Sequence, residues 1–152
     1  TDVSKDYPDI TFEEMYVDAC AMNLIRQPEQ FDVVVTTNLF GDILSDESSQ
    51  VVGGLGMAPA ANIGDNFALF EPVHGAAFDI AGQNIANPSS FLLSIKLMLD
   101  WLGVKHNDSK CFEVGTNLES TIFDLVKSGV KTKDIGGDAS TVEFTKHITD
   151  NL

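Results

Sequence analysis

The sequence predicts an α/β fold, and three observations lead to this prediction. The run FDVVVT, centred on residues 32–36, is the pattern of a strand covered on both faces, as in a parallel sheet. Helical patterns stand immediately before and after this run. Hydrophobic residues make up 43% of the chain, which is enough for a packed core and too many for a disordered segment. Strands and helices that alternate in this way indicate an α/β architecture.

The first thirty residues predict a polar turn, a short strand and a helix. Residues 1–10 contain the turn signal YPD, and residues 11–16 are expected to form a short strand. The first helix begins near Asp18 and is stopped by Pro28. Its apolar face is expected to comprise Ala19, Met22 and Ile25.

A second helix is predicted over residues 38–52, with Asn38 as its cap. Its inner side is expected to comprise Leu39, Ile43 and Leu44. A glycine-rich segment ends this helix, and its GLG sequence resembles the start of a dinucleotide fingerprint. Because Pro59 replaces the third glycine and no capped helix follows directly, the segment is not a Rossmann loop.

The second half of the chain predicts one short strand and three helices. The strand covers residues 68–71 and is followed by the loop EPVHGAAFD. Pro88 stands in the first turn of an amphipathic helix that Gly103 is expected to end. Further helices are predicted at residues 111–128 and 141–152, with a glycine-containing loop between them.

The charge balance excludes several classes of partner. Lys and Arg number 9 and Asp and Glu number 23, which gives a formal net charge of −14. This argues against nucleic acid and anionic membrane surfaces and is compatible with cation binding, although an ordinary acidic cytoplasmic protein has the same composition. The two cysteines are too few for a disulfide scaffold. No apolar run reaches the ~18 residues of a membrane helix, and no signal peptide is visible.

Three aspartates form a candidate metal site. Asp42 and Asp46 are four residues apart on the predicted second helix, so they share one face, one turn apart. Two such carboxylates repel each other unless a cation or a proton lies between them. Together with Asp18 they predict a site for Mg²⁺ or Mn²⁺, which prefer oxygen ligands. The alternatives are exposed helical acids and, for Asp18, a favourable interaction with the helix dipole.

The loop EPVHGAAFD is a candidate nucleotide site. His74 stands beside small residues, which would let a flat ring approach closely. Asp79 is suited to accept hydrogen bonds from a ribose diol. The alternative for His74 is a loop imidazole that backbone groups satisfy. A Ser-His-Asp triad is compatible with the composition, but no serine stands in a G-x-S-x-G elbow.

At these motifs the sequence resembles a known family. NLFGDILSDESSQVVGGLGMAPAANIG and FEPVHGAAFDIAGQNIANP are similar to the β-decarboxylating dehydrogenases, which act on isocitrate, 3-isopropylmalate, homoisocitrate or tartrate. The resemblance covers nearly the whole chain, from YPDITFEEMYVDACAMNLIRQP to DIGGDASTVEF. The segment HGAAFDIAG and the short spacing most resemble the family members that act on 3-isopropylmalate.

The resemblance implies a two-domain α/β fold that is not a Rossmann fold, in a homodimer or higher oligomer. Residues 1–55 would belong to the metal and dimerisation domain and residues 56–152 to the NAD domain. The family's N-terminal half, with its catalytic Tyr and Lys and its substrate-binding Arg residues, has no counterpart in this sequence. Because the chain also begins Thr-Asp-Val without Met, we expect a missing upstream part, with cleavage or trimming as the alternative.

The resemblance also implies residue roles. Asp42 and Asp46 would bind Mg²⁺ or Mn²⁺ in one subunit, while Asp18 would reach the neighbour's site. Beyond what the resemblance implies, we expect Asp42 to lie close enough to the substrate to assist proton removal. Glu71 would lie near the nicotinamide end of the cofactor. The adenosine pocket of NAD would be lined by His74, Gly75, Ala76, Asp79 and Asn87.

The implied activity is NAD-dependent oxidation and decarboxylation of a small 2-hydroxy acid, most closely 3-isopropylmalate in leucine biosynthesis. Isocitrate, homoisocitrate and tartrate are alternative substrates. Two hypotheses from other functional classes remain. The first is a non-catalytic subunit or fragment that pairs with a complete partner, and the second is a metal-dependent hydrolase that uses the same acids.

Overall fold

The computed structural model describes residues 2–152, which divide into two compact units. The first unit ends at Val51 and the second runs from Val52 to Leu152. Both are rich in helix, and the second also contains a small sheet. Within residues 2–152, none of the helices has the length and apolar character needed to cross a membrane.

The first unit is built on two α-helices, α1 (Val17–Arg26) and α2 (Asn38–Val51). Short 3₁₀ turns lie at Val3–Asp6 and Pro28–Gln30. The helices pack through a small core comprising Cys20, Leu24 and Leu44, against which Ala21 and Phe31 lie. Both predicted helices are therefore confirmed, and α2 begins at Asn38 itself.

The predicted inner faces of these helices are wrong in part. Met22 and Ile25 of α1 are 48% and 68% exposed, and Leu39 and Ile43 of α2 are 67% and 55% exposed. The contact between the helices uses one narrow stripe on each, and it buries only Leu44 of the three predicted α2 residues. A helix whose apolar residues extend beyond one stripe has more than one face to cover, and helical spacing alone does not say which face is used first.

The predicted strands at residues 11–16 and 32–36 are also wrong. Both segments lack strand structure, and Val33 and Val35 are 80% and 91% exposed. A strand needs a neighbour for its backbone N–H and C=O groups, and neither segment pairs with another part of residues 2–152. The parallel sheet expected around residues 32–36 is accordingly not formed within the described residues.

The second unit begins with an antiparallel hairpin of β1 (Pro59–Ile63) and β2 (Ala68–Pro72). Pro59 pairs with Pro72 at the open end of the hairpin, and Ile63 pairs with Ala68 next to the turn. Strand β2 confirms the prediction at residues 68–71. Strand β1 is not anticipated by the sequence, because PAANI lacks the β-branched alternation typical of strands.

Three further helices complete the second unit: α3 (Ser89–His106), α4 (Ser109–Ser128) and α5 (Thr141–Asn151). Their shared core comprises Met57, Leu93, Leu118, Ile122, Phe144 and Ile148. Helix α3 also lies against the hairpin, where Ser90 Oγ donates to Ala58 O at 2.5 Å. These helices confirm the three that the sequence predicts in the second half of the chain.

The end predicted for α3 at Gly103 is wrong. The helix continues to His106 and is capped by Asn107, which has a left-handed conformation (φ 51°). Gly103 is buried in the helix, where a Cβ atom would lie 2.7 Å from the ring of Phe112. The glycine therefore permits the close approach of α4 to α3 and does not act as a terminator.

Candidate functional site

The three candidate metal ligands lie on the two helices of the first unit. Asp18 is in the first turn of α1, where its Oδ1 accepts the backbone N–H of Ala19 at 2.8 Å. Asp42 and Asp46 both lie on α2, as predicted, and both side chains are exposed. Their carboxylates accept no hydrogen bond and form no ion pair with any residue in the range 2–152. Each is therefore available to an external cation.

The paired acids on α2 are chemically suited to a hard cation. At i and i+4 on one helix, their Cβ atoms are about 6 Å apart. Carboxylate oxygens are the ligands that Mg²⁺ and Mn²⁺ prefer, and Mg²⁺ usually keeps several waters beside one or two carboxylates. Across residues 2–152, no three His, Cys, Asp or Glu side chains gather closely enough to hold one metal ion. The donors that this chain offers at one place are thus the two α2 acids.

The candidate nucleotide residues lie between β2 and α3, in a segment that we call the 73–88 loop. Its first half has only local contacts: His74 Nδ1 lies 3.0 Å from Gly75 O, and Asp79 O accepts from Gln83 Nε2 at 2.7 Å. The side chains of His74, Ala76 and Asp79 are exposed. This half consequently presents an imidazole, a carboxylate and small residues to solvent.

The second half of the 73–88 loop is tied to the C-terminal part of the chain. Asn84 has a left-handed conformation (φ 57°), and its carbonyl accepts the backbone N–H of Thr141 at 3.0 Å. Its Oδ1 accepts the N–H of Val142 at 3.1 Å, and Thr141 Oγ1 donates to Ala86 O at 2.5 Å. The start of α5 therefore fixes residues 84–86.

Asn87 is held by its own side chain. Its Nδ2 donates to Asp134 Oδ2 at 3.0 Å, and its Oδ1 accepts the backbone N–H of Ser89 at 2.9 Å. The second bond satisfies one of the free N–H groups at the start of α3. Through these two hydrogen bonds, the side chain of Asn87 stabilises the conformation of the end of the 73–88 loop.

Glu71 lies on β2, at the entry to the loop. Its Oε1 accepts from Asn62 Nδ2 at 3.3 Å, and its carbonyl accepts from Ser94 Oγ at 2.7 Å. Ser94 is 2% exposed and also donates to Ser90 O in an alternative hydroxyl orientation at 2.8 Å. Helix α3 and the neighbouring strand together position the backbone and the carboxylate of Glu71.

Sequence reasoning missed the residues that hold the loop. It also missed Ser90 and Ser94, which bond the hairpin side of the unit; they stand at i and i+4 among the apolar residues of the first turns of α3, and this spacing is a usable signal of a buried polar contact. Asp134 and Thr141 carried no such signal, since their partners are 47 and 55 residues away in sequence.

Comparison with known proteins gives a consistent family. The family model described as "Isocitrate/isopropylmalate dehydrogenase" matches residues 1–152. A 3-isopropylmalate dehydrogenase of Saccharolobus solfataricus is 54% identical over 140 residues, covering 91% of this chain and 42% of the relative. An isocitrate/homoisocitrate dehydrogenase of Thermus thermophilus is 49% identical over 151 residues, covering 99% of this chain and 43% of the relative. The chain therefore spans less than half the length of these relatives.

Solved structures agree with the sequence comparison. The TT0538 protein of Thermus thermophilus has a TM-score of 0.89 at 43% identity, over 99% of this chain and 30% of that chain. Isocitrate dehydrogenase of Methylococcus capsulatus has a TM-score of 0.90 at 40% identity, over 99% of this chain and 43% of that chain. The chain therefore shares the fold of these solved structures, and it belongs to the isocitrate/isopropylmalate dehydrogenase family.

Proposed function

We propose that this chain supplies the metal-binding acids and the cofactor loop of an NAD-dependent β-decarboxylating dehydrogenase, with 3-isopropylmalate as the substrate. The observation that carries the proposal is the exposed, unpaired Asp42–Asp46 pair on one face of α2. It occurs in a chain that is 54% identical to a 3-isopropylmalate dehydrogenase over 140 residues.

The metal part of the site uses Asp42 and Asp46 as ligands of Mg²⁺ or Mn²⁺. Asp18, whose carboxylate already accepts a backbone N–H on a different helix, would serve the site of a second subunit in a homodimer. The bound ion supplies positive charge that stabilises negative charge on the substrate oxygens. Asp42 is in addition assigned the removal of the hydroxyl proton, because a carboxylate that binds the metal would lie beside the substrate hydroxyl that the same metal binds.

The cofactor part of the site is the 73–88 loop. The imidazole of His74, beside Gly75 and Ala76, offers a flat surface for an adenine ring. Asp79 accepts hydrogen bonds from the adenosine ribose, and Asn87 closes the far side of the pocket. Glu71 stands toward the nicotinamide, and bound NAD⁺ supplies the hydride acceptor.

The choice of substrate rests on likeness and not on residues of this chain. Relatives named for 3-isopropylmalate and for isocitrate and homoisocitrate are 54% and 49% identical to it. Isocitrate, homoisocitrate and tartrate are therefore the competing substrates. The protein is proposed to act in the cytoplasm as a homodimer, and a non-catalytic role beside a complete partner is the competing role.

The test uses what we call the completed protein: this chain preceded by the upstream part that the family resemblance implies. NADH absorbance is followed with Mn²⁺, NAD⁺ and each of 3-isopropylmalate, isocitrate, homoisocitrate and tartrate. We expect the highest kcat/KM with 3-isopropylmalate. A preference for isocitrate would correct the substrate, and inactivity with every acid would overturn the enzymatic role.

The metal ligands are tested separately by Mn²⁺ titration calorimetry without substrate. Asp42→Asn and Asp46→Asn should each weaken Mn²⁺ binding by at least about tenfold, because each removes a charged ligand. The matched control is Glu47→Gln, which removes the same charge from the adjacent position of α2. If Glu47→Gln weakened Mn²⁺ binding as much as Asp42→Asn and Asp46→Asn do, the two aspartates would contribute only negative charge and would not be ligands.

A further inference from the structure

We propose that Asp134 is a positioning residue for the cofactor loop: it holds Asn87, and through Asn87 the second half of the 73–88 loop, in the conformation that binds NAD. The inference rests on the proposed function. It assigns Asp134 no contact with the cofactor itself.

Both oxygens of the Asp134 carboxylate are engaged, each with a different partner. Oδ2 accepts from Asn87 Nδ2 at 3.0 Å, and Oδ1 accepts from Thr132 Oγ1 at 2.6 Å. Thr132 is fully buried, so its hydroxyl is a fixed donor. Hydrogen bonds to an ionised acceptor are stronger than neutral ones, and two of them at separate oxygens fix the orientation of the carboxylate plane. The carboxylate therefore links the buried Thr132 to Asn87 with little freedom.

Two neighbouring residues pack closely against the hydrogen-bonded pair Asp134 and Asn87. Gly56 lies directly against it, and a Cβ atom at position 56 would be 2.5 Å from Asp134 Oδ2 and 3.0 Å from Asn87 Cβ. Met57, which follows Gly56, is part of the core and lies 3.5 Å from Asn87 Nδ2 through its sulfur. Three segments distant in sequence thus meet at one side-chain hydrogen bond.

The hydrogen bond between Asn87 and Asp134 lies in the anchored half of the 73–88 loop. Residues 84–87 are bonded to the start of α5 and to Asp134, whereas the side chains of His74 and Asp79 have no hydrogen bond to a distant part of residues 2–152. A pocket formed by the whole loop depends on the anchored half to position the half that has only local contacts. Asn87 lies two residues before the start of α3, so its hydrogen bond to Asp134 determines where the loop meets the helix.

Electrostatics make the role testable, because charge and hydrogen bonding predict opposite effects. NAD⁺ carries a pyrophosphate, and a carboxylate near its loop repels it. If Asp134 mattered only through its charge, Asp134→Ala would strengthen NAD⁺ binding. If Asp134 positions Asn87, the same substitution weakens binding although it removes a negative charge.

The experiment measures NAD⁺ affinity by calorimetry and the steady-state constants of the completed protein. Asp134→Ala should raise Kd and KM for NAD⁺ roughly tenfold, the effect of losing one hydrogen bond to a charged group. The kcat and the KM for the hydroxy acid should stay within about twofold. Asp138→Ala is the control. Asp138 lies, like Asp134, in the segment between α4 and α5, so the substitution removes the same charge nearby. The Asp138 side chain forms no hydrogen bond or ion pair with the described residues.

A double-mutant cycle separates positioning from simple stabilisation of the fold. Asn87→Ala should weaken NAD⁺ binding, and Asp134→Ala should add nothing in that background, since Asp134 acts through Asn87. Gly56→Ala provides an independent disruption of the same hydrogen bond and should mimic Asp134→Ala. Additive effects of the two alanine substitutions, or unchanged affinity in both Asp134→Ala and Gly56→Ala, would overturn the inference. Absence of NAD⁺ binding by the parent protein would instead overturn the proposed function on which it rests.

Discussion

Asp79 is the side chain that should decide between the two nicotinamide cofactors. It is exposed, in the first half of the 73–88 loop. Its carbonyl accepts a hydrogen bond from Gln83 Nε2, whereas its carboxylate has no hydrogen-bond partner among residues 2–152. A carboxylate accepts hydrogen bonds from both ribose hydroxyls but repels the 2′-phosphate of NADP. In the completed protein, Asp79→Lys should therefore weaken NAD⁺ binding and strengthen NADP⁺ binding, with a shift in the ratio of the two affinities of at least about tenfold.

The matched control for this substitution is Asp65→Lys. Asp65 is an exposed aspartate in the hairpin turn between β1 and β2, outside the 73–88 loop, so it reports the general effect of the same charge reversal. Fluorescence titration with each cofactor gives the two affinities. Equal NAD⁺ affinity in Asp79→Lys and the parent protein would show that this carboxylate does not contact the ribose.

Single residues of the candidate site were predictable from sequence to different degrees. The placement of Asp42 and Asp46 on one helix follows from local spacing, and the structure confirms it. The anchoring of Asn87 by Asp134 does not follow from any local pattern, because it depends on a pairing between segments 47 residues apart. Local chemistry thus names candidate ligands, whereas the contacts that orient them come from tertiary structure.

At the level of elements, helices α3, α4 and α5 were predicted because their signals are local. Each has an apolar stripe at helical spacing, and its hydrogen bonds close within the element. Caps add to this: Asp108 accepts from Lys110 N–H before α4, and Gly129 (φ 98°) ends it. The segment at residues 32–36 has an equally clear apolar pattern, but its hydrogen-bond partners must come from elsewhere. Its failure to form a strand within residues 2–152 reflects that difference.

The capping box of α5 gives a pH-dependent prediction. Glu143 accepts from the Ser140 backbone N–H at 2.9 Å and from Ser140 Oγ at 2.7 Å, and these bonds, the backbone one foremost, lower the pKa of the Glu143 carboxyl. A carboxyl with a lowered pKa in the folded state stabilises that state above its unfolded pKa. This contribution is lost as the pH falls through the folded pKa.

Glu143→Gln should accordingly lower Tm at pH 7, and the difference from the parent protein should shrink from about pH 5 downward as the parent's carboxyl is protonated. Thermal unfolding of the completed protein, followed by circular dichroism at several pH values, measures this. The control is Glu113→Gln, an exposed acid on α4 outside any cap. A difference in Tm that stayed constant between pH 7 and pH 3 would show that the charge of Glu143 has no part in capping.

At the level of the whole molecule, the first unit has too little internal core to account for its apolar surface. Within residues 2–51, its buried hydrophobic cluster comprises Cys20, Leu24 and Leu44, while large apolar side chains on both helices and on the preceding segments are exposed. The five most exposed of these are Val3, Tyr16, Ile25, Val33 and Val35. Extensive exposed apolar surface is typical of an interaction site, and it supports the proposals of a homodimer and of an additional part of the family fold.

The last prediction is that these 152 residues alone do not catalyse the dehydrogenation. A substrate with two carboxylates is normally bound by arginines, whose planar guanidinium groups make paired hydrogen bonds. This chain has one arginine, Arg26, and it is the exposed last residue of α1, eight positions after Asp18 on the same helix. The net charge of −14 opposes the approach of a polyanion, and a bound divalent ion offsets only part of that charge locally.

Candidate proton donors are equally scarce in the isolated chain. Tyr7 and Tyr16, its two tyrosines, are 56% and 86% exposed on segments that precede α1. With Mn²⁺, NAD⁺ and either 3-isopropylmalate or isocitrate, the purified chain should therefore produce no NADH above background. A full-length relative such as the isocitrate/homoisocitrate dehydrogenase of Thermus thermophilus, assayed in parallel, controls for the reagents. Turnover by the 152 residues, in a preparation free of any full-length enzyme, would mean that the groups binding the substrate carboxylates and donating the proton are already present in this chain.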